Sequence, residues 1–392
     1  MKYKISDIAE INKKNINKNY KGKVFYLDTS SVTNDFFNCP KIYTSLKEAP
    51  IRARRLAEDG DTIISTVRPA MRHVGYISQN LNRVYSTGFA IISPKKSKVN
   101  PFYLYLVLSS KEITNLLQSI AVGSTSAYPS IKPRDIGNLI FDFPSLCIQE
   151  KIASIMQQII LKIKMNNQIN DNLMEQLENE FNDLFFKSFP SNFLVLSSLV
   201  IKTIAGDWGK TTLQKNFDTK TTIIRGTDFQ DITMGRSSNA PTRYVKKKNL
   251  INKELQQSDV VVEISGGSPT QSTGRSLLIT NEIKNSFKLP ILGTNFTRTF
   301  KTENLENAIL LKSYLQFLYL KRLFFNYENG TTGIKNLDYK NVLNIKLPDV
   351  RTNKLFKNYI KKYILFYKFI IKLGKQNKTL ESIKDAFLKL YF

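Results

Sequence analysis

Four short loops of this 392-residue chain combine the residue types that hydrogen-bond to nucleobase edges. "STVRPAMRH" supplies Thr66, Arg68, Arg72 and His73. "SGGSPTQSTGR" supplies Ser265, Ser268, Thr270, Gln271 and Arg275, with Gly266 and Gly267 letting backbone approach closely. "GSTSAYPS" adds Ser124, Thr125, Ser126 and Tyr128, and "GTTG" adds Thr331 and Thr332. Arginine can grip guanine O6 and N7 with two hydrogen bonds, and glutamine can do likewise with adenine. Loops are rich in Gly, Ser and Thr in any case, so ordinary surface turns are the competing reading. Net charge favours the nucleic-acid reading: 58 Lys+Arg against 32 Asp+Glu leave +26, a field that attracts polyanions. "RARR" (Arg52 to Arg55) and "KKK" (Lys246 to Lys248) suit phosphates or solvent.

Catalytic patterns fail one by one. "NPFY" (Asn100 to Tyr103) has Phe102 where a base-clamping (N/D)PP(Y/F) loop has its second proline, so Asn100–Pro101 reads as a helix start. "GDWGKTT" (Gly206 to Thr212) has two residues between its glycines, where a phosphate loop needs four. Cys39, Cys147 and the lone His73 cannot assemble a four-ligand zinc site without carboxylates. No acidic cluster suggests a two-metal nuclease. The expectation is a chain without catalysis, metal or cofactor of its own. Isolated thiols, an N-terminus without an apolar leader and no apolar run near about 20 residues predict a cytoplasmic protein outside the membrane.

Two copies of one plan must position these loops. "VFYLDTSSV" corresponds to "TIIRGTDF", "EDGDTIISTVRP" to "QQSDVVVEISGG", and "STGFAII" to "GTNFTRTF". "PFYLYLVLSSKEI" corresponds to "AILLKSYLQFLYLKRL", and "GSTSAYPSIKPRDIGNLIFDFP" to "GTTGIKNLDYKNVLNIKLP". Five landmarks in one order indicate a diverged duplication. The predicted architecture is α+β: globular modules at residues 1–144 and 190–350, each followed by a long helix, at 145–189 and 351–392.

The first helix carries an apolar stripe through Ile152, Ile155, Ile159, Leu173, Leu177 and Phe181, interrupted by Asn166 to Gln168. The second offers Ile360, Ile364, Tyr367 and Ile371, with Gly374 expected to loosen its middle. About 40 residues at 1.5 Å each make a rod of roughly 60 Å, which needs a partner along its seam. Asp171, Glu175, Glu178, Glu180 and Asp183 crowd the end of the first helix; Arg351, Lys354, Lys357, Lys361 and Lys362 open the second. Antiparallel pairing brings these stretches together, so an antiparallel coiled coil is predicted. The alternative is that each helix packs on its own module.

This order of modules and helices resembles the specificity (S) subunit of type I restriction-modification systems. The passages that carry it are "GSTS…IKPRDIGNLIFDFPSLCIQEKIASIM" and "NGTTGIKNLDYKNVLNIKLP". The resemblance implies two target recognition domains, each reading half of a split duplex DNA target. It implies spacer helices that dock two methyltransferase subunits, with restriction subunits completing the complex. S-adenosylmethionine, ATP and Mg would then sit on those partners. Two other classes stand beside it: a coiled-coil scaffold, and a standalone DNA-binding protein of low specificity.

Overall fold

A computed structural model describes residues 2–79, 81–123, 129–187, 192–236, 238–268, 270–330 and 334–391. It divides into two compact units, one of residues 1–161 with 382–392 and one of residues 162–381. Each long helix therefore contributes to both.

In the first unit an antiparallel four-stranded sheet runs Val74–Tyr76, Thr62–Ser65, Phe89–Pro94, Ala9–Ile11. Beside it, Val24–Leu27 pairs in parallel with Arg83–Ser86 and antiparallel with Lys41–Tyr43. Lys2–Lys4 pairs with Ile140–Asp142, tying the start of the chain to the strand before the long helix. The helix Pro101–Leu108 is buried almost all round, and Asn100 caps it by accepting from Tyr103 N.

The second unit repeats this plan in its four-stranded sheet, while the sheet beside it has three strands where the first unit's has five. Its four-stranded sheet runs Ser276–Leu278, Asp259–Glu263, Thr297–Lys301, Lys202–Ala205. Thr219–Ile224 pairs in parallel with Ile291–Gly293 and antiparallel with Thr242–Val245. Phe193–Val195 pairs with Lys346–Pro348. The central strands "TIIS" and "DVVVE" are buried on both faces, which β-branched side chains tolerate well. A buried aspartate stands at the start of each, Asp61 just before the first strand and Asp259 opening the second, and each accepts a backbone N–H at 2.7 Å, from Glu58 and Gln256. Burial raises both carboxyl pKa values. The duplication read in the sequence is thus visible as duplicated topology.

The long helices span Leu146–Lys187 and Phe356–Tyr391 without interruption. Within the second unit they run antiparallel: Asn166 Nδ2 donates to Asn377 Oδ1 (2.8 Å), Asn170 Nδ2 to Ile370 O (3.3 Å) and Lys362 Nζ to Glu180 Oε1 (2.7 Å). Within the first unit, Ile152, Met156, Ile159, Phe387 and Leu388 share one core.

The structure corrects the expected stripe. Ile155 is 43% exposed and points away from the seam, as does Ile169. Among the inward or half-buried positions, Ile152, Met156, Ile159, Ile163, Asn166, Asn170, Leu173 and Leu177 follow one another at alternating spacings of four and three. Asn166 to Gln168 is therefore no break; Asn166 is fully buried because Gln376 and Asn377 accept from it. Of the expected charge ladder, Lys362–Glu180 forms, while Arg351 turns back to Asp349 and Asp183 bonds Lys187. Such exposed pairs contribute little, and the seam (Tyr359, Ile360, Tyr363, Tyr367 and Ile371 against Leu177 and Phe181) supplies the stability. Asn377→Leu alone should cost about 1–3 kcal/mol by removing one of the two acceptors of buried Asn166 and placing a leucine against its amide, whereas Asn166→Leu with Asn377→Leu should recover much of it in denaturant unfolding.

Candidate nucleic-acid interface

The second unit holds an open cleft of about 670 Å³ lined by Trp208, Arg225, Gly226, Glu263, Gly266, Gln271, Arg275 and Phe296, among others. Backbone hydrogen bonds lace its loops together: Ile264 N donates to Phe296 O and Leu337 N to Ile264 O, both at 2.9 Å. Ser265 pairs with Asn336, and its hydroxyl donates to the Asn336 side chain at 2.6 Å. Lys335 and Asn336, two and three residues after the "GTTG" stretch, therefore lie beside the "SGGSPTQSTGR" loop.

The first unit laces its loops identically. Thr66 N donates to Gly88 O (2.8 Å), Ile131 N to Thr66 O (2.9 Å), and Val67 bridges Ser130. By this register Thr66, Val67 and Arg68 are equivalent to Ile264, Ser265 and Gly266. His73 and Arg275 are equivalent too: Ser65 N donates to His73 O and Glu263 N to Arg275 O.

The candidates fare differently. Arg68 is exposed, with φ of 50°, and Gly267, Thr270 and Gln271 are exposed. Ser268 Oγ accepts from Gln271 N (3.0 Å), and Gln271 Nε2 donates to Tyr319 OH (3.3 Å). Thr66 is a correction: it is buried and its hydroxyl donates to Gly88 O at 2.9 Å, so it serves the fold. Arg72 is half-buried and donates to Ser109 O (2.9 Å). His73 Nδ1 lies 2.8 Å from Val32 O, a pure acceptor, so that nitrogen carries a proton. Ser124, Thr125, Ser126, Tyr128, Thr331 and Thr332 lie outside the described residues.

Sequence reasoning found Ser265, Gly266, Gly267, Gln271 and Arg275 of the cleft but missed Trp208, Arg225 and Glu263. Trp208 sits inside the rejected phosphate-loop look-alike, with the Arg243 guanidinium 4.2 Å from its ring centroid, a cation–π contact. Arg225 is held against Asp228 by two 2.9 Å hydrogen bonds. Glu263 ends the buried strand and receives Arg275 Nε at 2.8 Å and Nη2 at 2.6 Å. That carboxylate raises the Arg275 pKa. Among the described residues no cluster of His, Cys, Asp and Glu could hold a metal, and no helix is long and apolar enough to cross a membrane.

Known proteins share both the sequence and the fold. The family described as the type I restriction modification DNA specificity domain matches residues 1–175. Over 185 residues, 47% of this chain, the sequence is 29% identical to the specificity subunit of the type I restriction enzyme HindI of Haemophilus influenzae. The match spans 40% of that relative's length. The type I restriction-modification S subunit from M. genitalium superposes over 100% of this chain and 96% of its own, with a TM-score of 0.58 at 14% identity. The HsdS subunit from Thermoanaerobacter tengcongensis aligns over 100% and 96% of the two chains, with a TM-score of 0.41 at 17% identity. Residues 1–175 thus match the DNA specificity domain of type I restriction-modification systems, and the second unit repeats the strand order of that domain's four-stranded sheet before a second long helix.

Proposed function

We propose that the chain is the non-catalytic sequence reader of a type I restriction-modification complex. Each unit reads one half of a bipartite duplex target, and the long helices set the gap and dock two methyltransferase subunits. Restriction subunits complete the assembly, S-adenosylmethionine, ATP and Mg belong to the partners, and the complex works in the cytoplasm. The observation that carries this reading is that two units keep one loop lacing while placing different side chains at equivalent positions: Arg68 against Gly266, His73 against Arg275. One scaffold with two sets of contact residues is what two different half-sites require.

Methylome sequencing of cells expressing the chain with its methyltransferase partner tests it; a split motif is expected, and a contiguous motif or none refutes it. Removing one matched heptad from each long helix should shorten the gap and leave both half-site sequences unchanged. An unchanged gap would rule out the helices as the ruler. Binding to duplexes with one half-site scrambled should fall sharply, whereas a low-specificity binder would lose nothing and a scaffold would not bind.

A further inference from the structure

The geometry points to Glu263 as a positioning residue that presents Arg275 to a guanine in the half-site read by the second unit. This rests on the DNA-reading function proposed above and deepens it by naming a base and the residues that choose it.

Glu263 is only 5% exposed. Its two oxygens take Nε and Nη2 of Arg275, the side-on edge of the guanidinium. That leaves the end-on edge, formed by Nη1 and the second Nη2 hydrogen, without a demand from Glu263. Arg275 lines the cleft that it shares with Trp208, Gln271 and Phe296. An end-on guanidinium edge matches guanine O6 and N7. Fixing the side chain beforehand removes much of the rotamer entropy that a long arginine loses on binding.

The carboxylate is itself held in place. A Cβ added at Gly226 would lie 2.3 Å from Glu263 Oε1, so the backbone of that loop closes over the carboxylate. The fold does not require the pair. At the equivalent positions the first unit has Ser65 and His73; the Ser65 hydroxyl donates to Val67 O, and His73 turns to Thr33 and Val32. The same hairpin thus closes without an ion pair, and a buried ion pair adds little net stability over neutral packing. A pair present in one unit only, at the floor of a cleft beside the loop lacing, is what a half-site-specific contact needs.

The test is the methylated motif of the complete complex carrying Arg275→Lys, Glu263→Gln or no change. Lysine keeps the charge but cannot make the two-point contact. Both variants should relax one G·C position in one half of the motif, by roughly 10- to 100-fold in discrimination, and leave the other half unchanged. Stability of each variant, read from Trp208 fluorescence during unfolding, separates reading from folding. An unaltered motif, a relaxed A·T position, or uniform weakening with lowered stability would each overturn the assignment of Arg275 and Glu263 alone. A wild-type complex that methylates no split motif would overturn the underlying function as well.

Discussion

Gly374→Val should destabilise the second unit by about 3 kcal/mol or more, and even Gly374→Ala should destabilise it. The sign is informative. In an open helix interior, glycine to alanine gains about 0.5–1 kcal/mol because glycine loses more backbone entropy on folding. Here an added Cβ would lie 2.4 Å from Gly235 O and 2.6 Å from Gly235 Cα, backbone atoms that cannot swing away. Gly235 has φ of +65° and itself lies against Ile371 and Gly374, so the turn after the short helix Phe229–Thr233 lies directly on the long helix. Asn170 fastens the same turn from the first long helix, reaching Met234 O at 3.4 Å. Trp208 is the chain's single tryptophan and belongs to this unit, so its fluorescence in a denaturant titration reads the effect. A more stable Gly374→Ala would show that the contact yields.

The second large effect is a pH dependence centred on Lys312. This lysine is buried on the helix Leu305–Leu320, where Nζ donates to Gln316 Oε1 (2.8 Å) and Ser276 Oγ (3.1 Å). Burial lowers its pKa to about 8, partly offset by Glu178, which accepts from Gln316 at 3.0 Å. The unfolded chain, with an ordinary lysine pKa near 10.4, then binds more protons than the folded chain between about pH 8 and 10. Stability of the second unit should rise with pH across that window, by up to about 3 kcal/mol in full, and be flat in this term below it. Above pH 10 the buried tyrosines oppose it. Tyr314, pushed up to about 12, and Tyr359, raised further, stay protonated when folded and ionise when unfolded. Unfolding midpoints at pH 7.5 and 9.5 should therefore diverge in the native chain and converge in Lys312→Met. Equal divergence in both would assign the slope elsewhere.

The duplication, the caps and the helices were legible because each is a local pattern. Asp before a β-branched run, Asn before Pro101, and apolar residues every three or four positions announce themselves within a few residues. Charge reads equally well, being a sum over composition. The seam's phase was not legible. Counting isoleucines selected Ile155, which faces outward, because a period of 3.5 places Asn166 and Asn170 on the buried face instead. Nothing local announces that an asparagine will be buried; its partner Asn377 lies 211 residues away. Gly374 read as a weak point for the same reason, since the backbone filling its space comes from Gly235.

For the cleft, the sequence by itself determined which loops exist, their polar content and their appearance in pairs. Tertiary structure decided that residues following "GTTG" lie beside Ser265, that Thr66 turns inward to Gly88, and that Glu263 reaches Arg275 across a hairpin. Residue type limits what a side chain can bond. Only the packing of distant strands fixes which bonds within the protein are already made, and so which donors remain to face a ligand.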